Sequence, residues 1–429
     1  MNQSLLHQAQ IETLENGLTL ATAPFPKVKT VTIHAWVLTG SAHEDLDKSG
    51  ISHFLEHMIF RGNEVLGTAN QLSLKMEELG GEINAATGHD SIEFWLEFHK
   101  NFLEEGIRRF CKFLLYPKFE ELEIERSIIL EEIKSNYNDE NQLIEVDSLT
   151  ALNLWPRQAM GLPISGLPST VENIDLKDLK SWYGRHFQAG NLIFGISGDF
   201  NPQDVKSWIA EEMAILPPGP RNPWPEPKTE ERGGVFFYPD RDNQYNFQWS
   251  FSLKDLAPLQ RTAAQLLTRM LDDGSSTRLQ RLIREEKGLV YEISASNFFY
   301  YKGGLLQIQG QVGHDRMEEL VTTLAQVIQQ VLTQGFNEEE LQLARLRMQT
   351  GLDCFTDNAE GILVEKITPL LNPCGLEVEE LQRLLELVTL DEVRAMAHDI
   401  FQKDSLFVAV GPEDEKLPGF VAAALAPWL

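Results

Sequence analysis

At 429 residues, 42% of them hydrophobic and 24% charged, the chain is long enough for two cores and has the composition of a globular protein. A net charge of −27 leaves no basic face for a nucleic acid; it fits cationic partners and equally fits acidity that only aids solubility. No apolar run approaches the roughly 20 residues of a membrane helix, so no membrane partner is expected.

The N-terminus, MNQSLLHQAQIETLENG, has neither a basic nor an apolar stretch, so it reads as no signal or transit peptide. Cys111, Cys354 and Cys374 lie far apart without metal-ligand spacing, which points to buried thiols in a reducing compartment, by default the cytoplasm.

An alternating strand is expected in KTVTIHAWVLTG (29–40) and a helix over 51–60 in ISHFLEHMIF, with Ser52 as N-cap and Ile51, Leu55, Met58 and Ile59 facing the core. On that helix His53 and His57 lie one above the other with Glu56 beside them. Two imidazoles one turn apart can share a metal ion, and a carboxylate on that turn can reach a metal-bound water. His-x-x-Glu-His is the reverse of the zinc-protease order His-Glu-x-x-His. A chance polar face would look the same, so a third ligand is the discriminating feature.

Two strands follow in GGEINAATGHDSIEFWLEF (80–98), then a long helix in ELEIERSIILEEIKSNYND (121–139). Leu122, Ile129 and Ile133 define its buried stripe, and Glu125 and Glu132 fall on it. Carboxylates there are costly unless paired or metal-bound. Glu132 is the expected third ligand and Glu125 its supporting neighbour, with an ordinary salt bridge the alternative for Glu125. Glu131 points away.

GNLIFGISGDFNP (190–202) reads as a strand and glycine-led turn; LPPGPRNPWPEPKTEERGG (216–234), with six prolines, reads as a linker near the middle of the chain. The far side repeats the near side. QYNFQWSFSL opens it, VYEISASNFFYYKGGLLQIQGQV supplies two strands, and DSLFVAVGPED closes it as GNLIFGISGDFNP closes the first half. FEELEIERSIIL aligns with FNEEELQLARLR, and EHMIFRG with TRMLDDG. Strands grouped with helices argue α+β: two homologous halves, each a mainly antiparallel sheet packed with helices. The expected domains are 1–216, a linker at 217–234, and 235–429. Under the repeat His53, Glu56, His57 and Glu132 face Gln265, Thr268, Arg269 and Gly351, so one metal per chain is expected.

ISHFLEHMIFRGN, GGEINAATG and ERSIILEEI, in that order and with 75 residues from His57 to Glu132, resemble the pitrilysin/insulinase family of zinc metallopeptidases, in the branch containing mitochondrial processing peptidase and its bacterial relatives. The resemblance implies a Zn²⁺ endopeptidase with Glu56 as general base. It implies that Arg284 and Tyr291, in RLIREEKGLVYEISASN, help hold the substrate, and that Asn84 and its neighbours pair with the substrate backbone. From the residues alone, Arg284 reads as a surface helix residue, Tyr291 as a core strand residue and Asn84 as a turn former. A chamber of four domains is also implied. A homodimer acting on peptides or unfolded segments follows, with a heterodimer of related chains open. MLDDGSSTRL (270–279) holds one glycine where the mitochondrial enzyme's noncatalytic partner carries a glycine-rich loop, which disfavours loop-based presequence recognition. The alternative function is a non-catalytic or partner-dependent subunit of a larger complex.

Overall fold

Alternation of apolar residues at 30–37 produces a strand whose Val31, Ile33, Ala35 and Val37 are wholly buried on one face. His34 and Trp36, on the other face, are buried too, because a helix from far along the chain covers them. The computed structural model describes residues 9–228, 233–402 and 404–429. Its strands are β1 (Gln10–Thr13), β2 (Thr19–Pro24), β3 (Thr30–Val37), β4 (Glu82–Thr87), β5 (Ile92–His99), β6 (Leu192–Gly198), β7 (Gly234–Pro239), β8 (Gln244–Leu253), β9 (Val290–Tyr300), β10 (Gly303–Gly313) and β11 (Ser405–Gly411).

Two sheets result, in the orders β1-β2-β6-β3-β5-β4 and β7-β11-β8-β10-β9. In each, the opening strand lies parallel to the closing one (β2 with β6, β7 with β11) and every other pairing is antiparallel. Apart from β1 the two topologies are identical, as the repeat requires. This is the α+β fold of two similar halves expected from the sequence.

The helices are α1 (Ile51–Ile59), α2 (Ala69–Glu77), α3 (Leu103–Leu115), α4 (Leu122–Lys134), α5 (Val146–Leu154), α6 (Pro168–Val171), α7 (Leu176–His186), α8 (Pro202–Met213), α9 (Pro258–Leu271), α10 (Met317–Gln334), α11 (Glu338–Phe355), α12 (Ala359–Leu371), α13 (Val378–Leu387), α14 (Leu390–Phe401) and α15 (Leu417–Leu425). By internal contacts, unit 1 takes residues up to Ser135, Gln158–Pro225 and Asp353–Glu377; unit 2 takes Asn136–Arg157, Glu226–Leu352 and Val378–Leu429. Each unit therefore includes a helical segment from the other half of the chain. In unit 1, α12 lies on β2 and β6, where Ile362, Leu363 and Ile367 pack on Ala21, Trp36 and Ile193. In unit 2, α5 lies on β8 and β11, and Asp147 accepts from Gln248 Nε2 at 2.7 Å.

The proline-rich stretch is tied down over its first part. Asn222 Nδ2 donates to Leu38 O and lies 2.9 Å from His186 Nδ1, its backbone N–H reaches Asn191 Oδ1, and His43 Nε2 lies 3.2 Å from Pro223 O, all within unit 1. Residues 229–232 of the expected linker lie outside the described residues. Among the described residues, no helix is long and apolar enough to cross a membrane.

Candidate metal centre

α1 presents the His53–Glu56–His57 set. Ile51, Phe54, Leu55, Met58 and Ile59 are buried and leave the histidine stripe facing α4 and β4. The helix begins differently from the expectation of a serine cap. Gly50, at φ 92°, is the N-cap, where a side chain would collide with Ser165 O. Glu44 reaches in instead and accepts from the backbone N–H groups of Gly50 (2.7 Å) and Ser52 (2.8 Å). Ser52 thus lies inside the first turn, its own backbone N–H taken by Glu44.

His53 Nε2 and His57 Nε2 are 3.2 Å apart, and the Glu132 carboxylate lies 3.6 Å from the first and 3.7 Å from the second. Ligand bonds of about 2.0–2.1 Å in a tetrahedron separate donor atoms by about 3.3 Å, so the three donors fit one zinc-sized cation. They form the one such group among the described residues. Burial, with His57 second, pushes His53 down to about 4, which leaves it a neutral imidazole. Burial opposes charge on His57, yet the bonded Glu125 and the nearby Glu56 and Glu132 hold its pKa above the ordinary histidine value. Three carboxylates thus favour positive charge at this point, whether a proton or a metal ion supplies it.

Glu132 departs from expectation in one respect. Its side chain is 51% exposed, whereas Glu125 is buried. The α4 stripe sinks at Ile129 and Ile133, and Glu132 stands at the stripe's margin, where it reaches the histidines from the open side. Glu131 points outward and pairs with Lys134. Glu125 is bridged: Oε1 lies 2.7 Å from His57 Nδ1 and Oε2 accepts from Arg61 Nε. Burial works against its charge, but the bonds from His57 and Arg61 outweigh that and hold the pKa low. Glu56 is raised by burial, against a 2.5 Å hydrogen bond from Thr87 Oγ1 to its Oε2.

Thr87 ends β4, the outer strand of its sheet, which pairs with β5 alone and so offers unpaired backbone groups. A cavity of about 350 Å³ lies between this edge and α1, lined by Glu56, His57, Phe60, Ile83, Asn84 and Ala85 among others. The structure thus gathers His53, Glu56, His57, Asn84, Glu125 and Glu132 around one place.

Arg284 and Tyr291 belong to unit 2. Arg284 sits on a π-helical turn, Gln280–Glu286, 46% exposed and 3.8 Å from Glu285; Tyr291 is 88% exposed on β9, an edge strand, rather than in the core. Where unit 1 has its histidines, unit 2 has Arg269, whose Nη1 donates to Asp273 at 2.5 Å while Arg347 takes the other oxygen. An ion-pair cluster fills the repeat of the site. Arg61, Glu44 and Thr87 escaped the sequence reading. The usable signal for Arg61 was that a buried Glu125 needs a cationic partner; for the other two none was local.

Residues 19–164 match the family model described as insulinase (peptidase family M16), and residues 173–348 match the model described as peptidase M16 inactive domain. The chain belongs to the M16 insulinase family of peptidases. Family M16 relatives with similar length include an uncharacterized zinc protease of Rickettsia felis, 28% identical over 96% of this chain and 98% of its own. Another is the uncharacterized zinc protease YmxG of Bacillus subtilis, 24% identical over 93% and 97%. Among solved structures, a protease from Helicobacter pylori shares the fold with a TM-score of 0.84 at 18% identity, covering 94% of this chain and all but 1% of that one. The periplasmic protease PqqL from Escherichia coli has a TM-score of 0.79 at 18% identity, and this chain spans half of it. Within this M16 chain, His53, Glu56, His57 and Glu132 fall in the first matched region, and the region whose model is called inactive is the one where Arg269 and Asp273 stand.

Proposed function

We propose that the chain is a zinc-dependent endopeptidase hydrolysing peptides or unfolded segments. One observation carries the reading: two imidazole nitrogens and a carboxylate converge beside the half-buried Glu56 and an open strand edge. His53, His57 and Glu132 would hold the ion. Bound there, Zn²⁺ supplies a Lewis acid that polarises a carbonyl and acidifies water.

Glu56 acts as general base. Thr87 occupies its Oε2, which leaves Oε1 to take a proton from water and hand it to the leaving amine. Burial raises the proton affinity of Glu56 above that of a free carboxylate, which suits a group that must both accept and release. Glu125 keeps the His57 ring oriented. An extended peptide adds to β4 as a further strand, pairing with the backbone around Asn84. Arg284 and Tyr291 donate to the scissile carbonyl oxygen as negative charge develops on it. Both are exposed donors, which supports their serving the site of a second copy in a homodimer enclosing a chamber. The −27 charge favours cationic peptides, and three cysteines that form no disulfide support a reducing, cytoplasmic setting.

Glu56→Gln tests the assignment. The expected result is one zinc per chain in wild type and variant, with cleavage of a peptide library, read by mass spectrometry, in the wild type alone. A variant that loses zinc or keeps turnover refutes the role of Glu56. A zinc-free, inert wild type refutes the whole reading in favour of a non-catalytic or partner-dependent subunit.

A further inference from the structure

We infer that Arg61 is a positioning residue of the metal centre, acting on His57 through Glu125; this rests on the metal-centre reading above. The two histidines are supported unequally. His53 Nδ1 is buried and has no hydrogen-bond partner among the described residues. His57 Nδ1 is held by Glu125 Oε1 at 2.7 Å. Glu125 reaches across from α4 and is 4% exposed, so its free oxygen cannot turn to water. Arg61 Nε donates to that oxygen. Both carboxylate oxygens are thereby spoken for, and the plane of the carboxylate, hence the tilt of the His57 ring, is set by two bonds instead of one.

The guanidinium is itself held from both ends. Its Nη1 reaches Glu121 Oε2 at 3.3 Å, one helical turn before Glu125. Its backbone N–H bonds Met58 O at 3.1 Å as α1 ends. Two residues on, Asn63 is fully buried. It donates through Nδ2 to Lys112 O and Phe113 O, and accepts at Oδ1 from the N–H groups of Val65 and Leu66. Arg61 thus projects from a stretch clamped between a helix end and a buried hub. A surface arginine free to swing would not fix anything; this one is anchored at its root and its tip. Lysine could supply the charge but not the planar fork that spans Glu121 and Glu125 together.

The test is zinc affinity of the full chain, measured by competition with a chromogenic chelator. Arg61→Met should weaken zinc binding by about 10–100-fold, Arg61→Lys by less, and Glu121→Gln, at a half-exposed carboxylate, only slightly. The decisive arm is a double-mutant cycle with Glu125→Gln. If Arg61 acts through Glu125, the double variant binds zinc no more weakly than Glu125→Gln alone, whereas a merely structural role would add its loss. The d–d spectrum of the Co²⁺-loaded chain should change in Arg61→Met, reporting altered ligand geometry without need of turnover. Wild-type affinity in Arg61→Met, or strict additivity in the cycle, overturns the inference alone. A wild-type chain that binds no zinc overturns the metal-centre reading and this inference together.

Discussion

Leu363 and Gly195 offer a direct test of whether the helix from the far half of the chain closes unit 1. Leu363, on α12, is wholly buried against β6. A methyl added at Gly195 would meet Trp36 Cζ3 at 2.8 Å and the two Leu363 methyls at 3.0 and 3.2 Å, so these side chains fill the space glycine leaves. Leu363→Ala removes three carbons, about 2.4 kcal/mol of transfer at ~0.8 per methylene; the cavity left behind brings the expected loss to about 3–5 kcal/mol. Gly195→Ala overpacks the same spot, at about 1–3 kcal/mol. In the double variant the new methyl enters the space Leu363 vacated, though the Trp36 contact remains. The combined loss should fall short of the sum by about 1 kcal/mol or more. Urea unfolding by circular dichroism gives the overall change. Hydrogen exchange of β6 and α12 peptides gives the local one, which matters because a chain of two units need not unfold in one step. A loss under about 1 kcal/mol for Leu363→Ala, with exchange in β6 unaltered, would refute α12 as the cover of this sheet face.

Glu132→Gln should strip or greatly weaken metal binding while Glu131→Gln leaves it intact; metal analysis of the two variants decides, and the reverse outcome would overturn the ligand assignment. Glu44 is pushed up to about 7 by burial. The folded chain therefore holds a proton there that the unfolded chain gives up near pH 4.5, and stability should fall as pH rises from about 4.5 to 7, by about 3 kcal/mol from this group. Glu44→Gln should flatten that slope in thermal unfolding of chelator-treated protein, and parallel wild-type and variant slopes would refute it. Finally, Glu56→Gln and Arg284→Ala chains, each nearly inactive alone, should recover about a quarter of wild-type activity when co-refolded, if sites are shared across a two-fold dimer. Confirmed mixed dimers without recovery would place Arg284 outside the partner's site.

What the sequence by itself determined here is local or periodic. Three and four residues along a helix of 3.6 per turn put His53, Glu56 and His57 on one side whatever surrounds them. Apolar alternation and the repeat prescribed two sheets of like order, and the Glu125–Glu132 spacing marked a carboxylate pair on one helix. Tertiary structure decided what depends on chain segments meeting across long separations. Arg61 answers Glu125, and Thr87 takes one oxygen of Glu56. The exchange of α5 and α12 is of the same kind. Both helices carry apolar residues that must be buried, but the pattern along a helix states only that it has a buried face. Which sheet receives that face is settled by the path of the chain, and at β3 that path buries His34 and Trp36 on the face opposite Val31, Ile33, Ala35 and Val37.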